Sequence, residues 1–121
     1  MMYEAFTPEE KEIVNTVTRF IDERVRPNVA ALERAGAYPD DLVQEMKDMG
    51  LFGLAVPEEY GGLGLRYPVL AAVFEAISRG WTTLAAYINS HSTVAYAIKT
   101  YGTEEQKQKY LVPLASGEKL G

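Results

Sequence analysis

A long segment without charge constrains the fold more than any other feature of the chain. From Gly80 to Ile98 there is no formal charge when His91 is neutral, and this length approaches the roughly 20 residues that span a membrane. The segment fails as a membrane span because its polar side chains are too many: Thr82, Thr83, Asn89, Ser90, His91, Ser92 and Thr93. It therefore predicts a helix, from about Thr82 to Tyr101, that is buried on nearly all sides inside a protein.

Helical periodicity and end signals divide the rest of the chain into further segments. The first opens with a capping box at Thr7-Pro8-Glu9-Glu10 and should be interrupted at Pro27 before it stops near Gly36. Three others are expected at about residues 39–50, 67–80 and 103–117, the last opening with a second capping box at Thr103. Because no stretch alternates as a strand does, we predict an all-α fold, an orthogonal or up-down bundle of about five helices.

A loop rich in glycine, Leu51 to Gly64, separates the second segment from the third. Its glycines and Pro57 exclude a regular helix, yet its apolar side chains predict that it packs against the body of the protein. A phosphate-binding loop would need a preceding strand and a different glycine spacing. A structural turn is therefore the favoured interpretation.

Composition excludes several classes of function. The chain has 121 residues with a net charge of −5, which argues against nucleic-acid binding because phosphate recognition needs a basic surface. The absence of Cys excludes disulfides and thiolate metal sites, and one His alone cannot form a zinc site. Residues Met1 to Glu12 lack the apolar core of a signal peptide, so we expect a cytoplasmic protein, or a piece of one, without a membrane partner.

The ionisable residues favour structural roles. His91 lies on the same helical side as Leu84, Ile88, Ala95 and Ile98, which indicates a core or interface histidine rather than a catalytic one. Adjacent carboxylates near helix starts or in loops are explained by capping and by the helix dipole: Asp40-Asp41, Glu58-Glu59 and Glu104-Glu105. Adjacent helical residues do not face each other, so a catalytic dyad is not expected.

Small side chains form one narrow face of the uncharged helix, and these are Ala86, Ser90, Thr93 and Ala97. Such a face lets another group approach the helix closely. The approaching group is either a second helix or a ligand in a slot lined by small and hydrogen-bonding side chains. The residues alone leave both interpretations open, as they do the choice between an enzyme part, a binding module and an interaction domain.

Two sequence blocks carry a resemblance to a known family. The first runs from Met49-Gly50-Leu51-Phe52-Gly53-Leu54 into Val56-Pro57-Glu58-Glu59-Tyr60-Gly61-Gly62-Leu63-Gly64, and the second runs from Tyr101 to Glu118. In both, and from about Phe6 to Gly121, the chain resembles the N-terminal helical domain of the acyl-CoA dehydrogenase family. Residues 1–121 are therefore expected to form one such domain, with the middle β-domain and the C-terminal helical domain outside this chain.

The resemblance implies a flavoenzyme that acts on an acyl-CoA substrate. In this family a carboxylate removes the α-proton, the β-hydrogen passes as hydride to FAD, and electrons then pass to an electron-transfer flavoprotein. The resemblance places the catalytic carboxylate and most FAD contacts beyond this chain, so no catalytic or cofactor-binding residue is assigned and the chain alone should be inactive. It matches the acyl-pocket positions to Ala86, Asn89, Ser90 and Thr93, and it implies a homo-oligomer.

Two alternatives share these expectations in part. A flavin monooxygenase or an acyl-CoA oxidase would carry the same N-terminal domain, since the residues that distinguish them lie downstream. A non-catalytic helical interaction module would fold without an exposed apolar patch. The dehydrogenase interpretation predicts the opposite, namely exposed surfaces that fit the other domains.

Overall fold

The fold is built from helices joined by short turns. The computed structural model describes residues 3–121, and none of these residues forms a strand. Met1 and Met2, which the expected domain and the signal-peptide argument include, lie outside the described residues. In chain order the helices are α1 Pro8–Phe20, α2 Val29–Ala35, α3 Asp40–Asp48, α4 Tyr67–Gly80, α5 Thr82–Tyr101, α6 Glu104–Gln106 and α7 Val112–Ser116. The predicted all-α class is confirmed.

The predicted interruption of the first helix is confirmed at Pro27. Helix α1 continues as a π-helical turn, Ile21–Val25, in which the Arg26 N–H donates to the Ile21 carbonyl at 2.9 Å. Proline has no N–H, and its ring clashes with the carbonyl four residues earlier, so the regular ladder cannot pass this point. Helix α2 begins at Val29 and ends at Ala35, and it is capped by Gly36, whose φ of 60° is the left-handed conformation that favours glycine.

Both predicted capping boxes are present. The Thr7 hydroxyl accepts from the Glu10 N–H at 3.2 Å, and the Glu10 carboxylate accepts from the Thr7 N–H at 2.9 Å. Thr103 and Gln106 form the same reciprocal pair at the start of α6, with the same two distances. Helix α6 then runs into a second π-helical turn, Lys107–Leu111, and on into α7. The local signals for these two helix starts were sufficient to place them.

The main core lies between the first helix, α3, α4 and α5. The side chains at its centre are almost completely excluded from solvent, and they include Val17, Ile21, Val25, Met46, Val73, Ile77, Leu84 and Ile88. The end of α4 approaches the first helix closely, since a Cβ on Gly80 would lie 2.3 Å from Ile21 Cγ2. This core packs against one side of α5 through Leu84 and Ile88.

The glycine-rich loop packs against the body of the protein, as predicted. Its side chains Leu51, Phe52, Leu54, Val56 and Tyr60 are all buried. Val56 and Tyr60 join a second apolar cluster with Ala95 of α5 and with Leu111, Leu114 and Ala115. A Cβ on Gly62 would lie 2.0 Å from the Val56 carbonyl oxygen. The glycine at this position is therefore required by the close approach of two backbone segments.

Burial of α5 differs from the prediction. The helix has the predicted bounds, Thr82–Tyr101, but only one of its sides is buried. We call Leu84, Ile88, His91 and Ala95 the inner face, and all four are buried. The opposite side is exposed because no helix or loop among residues 3–121 covers it. The prediction that this helix is buried on nearly all sides is therefore wrong for residues 3–121.

Candidate functional site

The exposed side of α5 is the candidate functional site. We call Ala86, Asn89, Ser90, Thr93 and Ala97 the outer face, and all five are exposed. Their spacing places them on one side of the helix, opposite the inner face. The structure therefore brings together all four residues that were predicted to line a pocket, along one open strip.

Polar groups on the outer face are only partly used by the protein itself. The Thr93 hydroxyl donates to the Asn89 carbonyl oxygen at 2.9 Å, one turn earlier in the same helix. Among the described residues, the Asn89 amide and the Ser90 hydroxyl make no side-chain hydrogen bond. The strip thus combines small apolar groups with two polar groups that can still bond to an incoming molecule.

Apolar surface flanks the outer face toward the end of α5. A cleft of about 400 Å³ is lined by Ala97, Ile98, Tyr101, Gly102, Gln106 and Tyr110. The Tyr101 side chain is 83% exposed, and Val94, Tyr96, Tyr110 and Val112 are exposed as well. Exposed apolar side chains gathered near one helix end are typical of contact with another protein surface or with a ligand. The prediction of exposed surfaces, made for the dehydrogenase interpretation, agrees with this patch.

A smaller cleft lies at the middle of α5. It measures about 120 Å³ and is lined by Tyr38, Phe52, Tyr87, Ser90, His91, Leu120 and Gly121. The rings of Tyr38 and Tyr87 stack with their centroids 5.6 Å apart. Burial is the main reason that the pKa of Tyr38 is raised above its ordinary value. The Tyr38 phenol is therefore neutral at physiological pH.

His91 is a core histidine, as predicted. Its Nε2 lies 2.8 Å from the Leu114 carbonyl oxygen, and its ring packs edge to face on Phe52. Burial lowers the pKa of His91 below its ordinary value of 6.5, because the charged form loses hydration. The imidazole faces the inner side and takes no part in the outer face.

The adjacent carboxylates also have structural roles, at helix starts and in hydrogen bonds within the protein. Asp40 and Asp41 lie in the first turn of α3, and Glu104 lies in the first turn of α6. The Tyr60 hydroxyl donates to the Glu104 carboxylate at 2.7 Å. This hydrogen bond is the main cause that raises the pKa of Tyr60 to about 12 and lowers that of Glu104. None of these carboxylates lies on the outer face.

The long-range polar contacts have no signal in the sequence. Arg66 holds the Glu10 carboxylate with two hydrogen bonds, at 2.8 and 2.9 Å, across 56 residues. These bonds are the main cause that lowers the pKa of Glu10 to about 2. The Trp81 indole likewise donates to Glu33 at 2.7 Å. A capping box explained Glu10 completely at the sequence level, and no local pattern pointed to its second partner.

The glycine-rich turn does not fit a flavin phosphate. Each of its four successive amides donates to a carbonyl of the protein: Gly61 to Glu58, Gly62 to Pro57, Leu63 to Gly53 and Gly64 to Val56, at 2.8–3.2 Å. No amide of this turn is therefore left to hold phosphate. Residues 3–121 also contain no group of three or more metal-ligating side chains, and none of their helices is long and apolar enough to cross a membrane.

Comparison with known proteins gives a consistent result. Residues 7–118 match the family model described as "Acyl-CoA dehydrogenase, N-terminal domain". A short-chain specific acyl-CoA dehydrogenase of Clostridium acetobutylicum is 37% identical over 93% of this chain and 30% of its own length. A mitochondrial isovaleryl-CoA dehydrogenase of Solanum tuberosum is 36% identical over 96% of this chain and 29% of its own.

Solved structures show the same helical arrangement. The butyryl-CoA dehydrogenase of Megasphaera elsdenii superposes on 96% of this chain with a TM-score of 0.87 and 28% identity, over 31% of its own length. The chain thus spans about 30% of the relatives that it matches. The resemblance noted in the two sequence blocks therefore extends to the backbone of nearly the whole domain.

Proposed function

Because this chain belongs to the family of acyl-CoA dehydrogenase N-terminal domains, we propose that its α5 outer face forms one wall of the acyl-binding pocket in an FAD-dependent acyl-CoA dehydrogenase. The enzyme would carry out α,β-dehydrogenation of an acyl-CoA thioester. The observation that carries this proposal is the exposed strip of Ala86, Asn89, Ser90 and Thr93, on the part of α5 that precedes Lys99 and carries no charged side chain.

Chemistry supports this assignment of the strip. An acyl chain is apolar, so a wall that borders it must not carry unpaired charge in a dry pocket. No charged side chain occurs between Arg79 and Lys99, which covers most of α5. Small side chains leave space beside the helix, while the Asn89 amide and the Ser90 hydroxyl supply the few polar groups that such pockets use for orientation.

The chain's own contribution is binding and the exclusion of water. When bound, FAD supplies the acceptor for the substrate hydride, and the family resemblance places most of its contacts outside this chain. The carboxylates described above lie away from the outer face, so the base that removes the α-proton is also expected elsewhere. Electron-transfer flavoprotein as the electron acceptor and assembly into a homo-oligomer are part of the same proposal.

A pair of matched variants tests the wall in the complete enzyme that contains this domain. Thr93→Leu fills the outer face, while Thr18→Leu on α1 changes another exposed threonine, whose hydroxyl also donates to the carbonyl four residues earlier. Changes of this size in an apolar pocket alter specificity by roughly 10- to 200-fold. We expect kcat/KM for the longer acyl-CoA thioesters to fall by about tenfold or more in Thr93→Leu, and to stay unchanged in Thr18→Leu.

Two results would overturn the proposal. One is the absence of any acyl-CoA oxidation by the complete protein with an artificial electron acceptor. The other is an equal change in kcat/KM for the two variants across a series of acyl chain lengths. Consumption of oxygen in place of the electron acceptor would instead assign the chain to an oxidase or a monooxygenase.

A further inference from the structure

His91 lies where α5, α7 and the last residues of the chain meet. Its side chain is buried, with 1% of its surface exposed. Its Nε2 is 2.8 Å from the Leu114 carbonyl oxygen, and its Nδ1 is 3.2 Å from the Gly121 backbone nitrogen. One ring therefore joins the wall helix to two other parts of the backbone.

The two partners of the ring define its protonation state. A carbonyl oxygen can only accept, so Nε2 must carry the hydrogen that bonds to Leu114. A backbone N–H can only donate, so Nδ1 must be bare to accept from Gly121. A second proton on Nδ1 would point at the Gly121 N–H, and that hydrogen bond would be lost. The contact with Gly121 thus exists only for the neutral imidazole.

Residues 117–121, which we call the exit segment, cross α5 at this point. A Cβ on Gly121 would lie 2.8 Å from Val94 Cβ, so the backbone passes close to the helix surface there. Ser90, on the outer face, adjoins His91 in sequence and lines the same small cleft as Gly121. The position of the exit segment therefore defines one edge of the outer face.

No charged side chain contributes to the shift in the pKa of His91. Burial lowers this pKa, while the carbonyls of Leu114 and Phe52 act in the opposite direction. The turn Leu51–Gly53 and α7 carry no titratable side chain, and the neighbouring cleft adds only the phenols of Tyr38 and Tyr87. The exit segment carries Glu118 and Lys119, both exposed, and Lys99 is the nearest charged residue on α5 itself.

We propose that His91 is a positioning residue whose neutral ring, through Nδ1, holds the exit segment against α5 beside the outer face. The consequence for substrate binding rests on the proposed function, but the hydrogen bond to Gly121 does not. Protonation of the ring releases the exit segment, so the edge of the wall is ordered at neutral pH and mobile in acid.

Two substitutions separate the two hydrogen bonds. His91→Asn keeps an acceptor near the position of Nδ1, and His91→Gln keeps a donor near the position of Nε2. Amide hydrogen exchange measured by NMR on isotope-labelled protein reports the Gly121 N–H directly. Since a neutral hydrogen bond contributes about 0.5–1.5 kcal/mol, we expect exchange at Gly121 to be up to about tenfold faster in His91→Gln, after correction for intrinsic rates, and close to wild type in His91→Asn.

The unmodified protein gives a second test that requires no variant. Because the chain contains a single His, the ring nitrogen resonances of His91 can be followed alone through a pH titration. We expect the Nε2–H tautomer at neutral pH, and a loss of order at Gly121 that follows the protonation of the ring. A Gly121 amide that stays protected after protonation, or equal protection in the Asn and Gln variants, would overturn the proposal.

Kinetics on the complete enzyme keep this inference separate from the proposed function. We expect KM for acyl-CoA to rise as the pH falls below 6.5 in the wild type and to lose this dependence in His91→Asn. If no acyl-CoA is oxidised while hydrogen exchange at the Gly121 amide still changes with the protonation of His91, the proposed function fails and the positioning role holds. If acyl-CoA is oxidised while hydrogen exchange at the Gly121 amide does not change on protonation of His91, the positioning role fails and the function holds.

Discussion

The two faces of α5 carry the same lack of charge for different reasons. On the inner face, Leu84, Ile88 and Ala95 are buried in the two apolar clusters of this chain, and His91 has partners for both ring nitrogens. On the outer face, Ser90 and Thr93 are exposed to solvent, where a charged side chain would have no desolvation penalty. The core therefore explains the composition of one face only. The composition of the outer face is consistent with the proposal that an acyl chain lies against it.

The largest expected effect is on the free energy of unfolding, which should fall much more for a substitution on the inner face than for one on the outer face. Ile88→Ala removes a completely buried side chain and should lower the free energy of unfolding by about 2–5 kcal/mol. Ser90→Ala, half a turn away on the outer face, should change it by less than about 0.5 kcal/mol. Urea denaturation of the chain followed by circular dichroism measures both. Similar losses in the two variants would mean that the outer face is also part of the core.

A smaller effect concerns the pH dependence of the inner face. The pKa of His91 is lowered on folding, so the unfolded chain takes up a proton at higher pH than the folded chain does. The resulting contribution to stability is complete above pH 6.5 and is lost as the pH falls below it. We expect the free energy of unfolding to decrease between about pH 7 and pH 5 in the wild type.

The control for this pH dependence is His91→Asn, which has no ionisable group at this position. Carboxylates begin to protonate below about pH 5 in both proteins, so the comparison stays above that value. The difference in unfolding free energy between the two proteins should change with pH across this window. A constant difference would show that His91 has the same pKa in the folded and unfolded states.

The smallest effect concerns the apolar surface beside the outer face. Tyr101→Ser removes the most exposed aromatic ring of that patch and should reduce the fluorescence of a dye that binds exposed apolar surface. Because the residue packs on little else, the unfolding free energy should stay within about 0.5 kcal/mol of wild type. Tyr67→Ser, an exposed tyrosine on α4, is the matched control and should change the dye signal less. Equal dye signals in the Tyr101→Ser and Tyr67→Ser variants would contradict an apolar patch centred on Tyr101.

Local signals predicted most of the fold. Helices Tyr67–Gly80 and Thr82–Tyr101 have the predicted bounds, because glycine, proline and capping residues act within one turn of a helix end. The capping boxes and the core position of His91 followed from spacing alone. The π-helical turns at Ile21–Val25 and Lys107–Leu111 were not predicted, since no residue pattern singles them out from an ordinary helix.

Contacts between distant residues escaped prediction for a physical reason. The bonds from Arg66 to Glu10 and from Tyr60 to Glu104 depend on how the helices pack, and the pattern within each helix does not contain that information. The same limit applies to α5, since an uncharged helix predicts burial but does not say what covers it. The small residues of the outer face were found from the helical projection, while their exposure required the structure.

Protection of an introduced cysteine from alkylation would show whether the outer face borders the acyl chain. The chain contains no Cys, so Ser90→Cys and the control Thr18→Cys each introduce one thiol into this domain. Alkylation of each is followed by mass spectrometry of its peptide in the complete enzyme, with and without a tightly bound acyl-CoA. We expect acyl-CoA to slow alkylation at position 90 by about tenfold or more, which corresponds to about 1.4 kcal/mol of protection, and to leave the rate at position 18 unchanged. Equal rates at position 90 with and without acyl-CoA would contradict it.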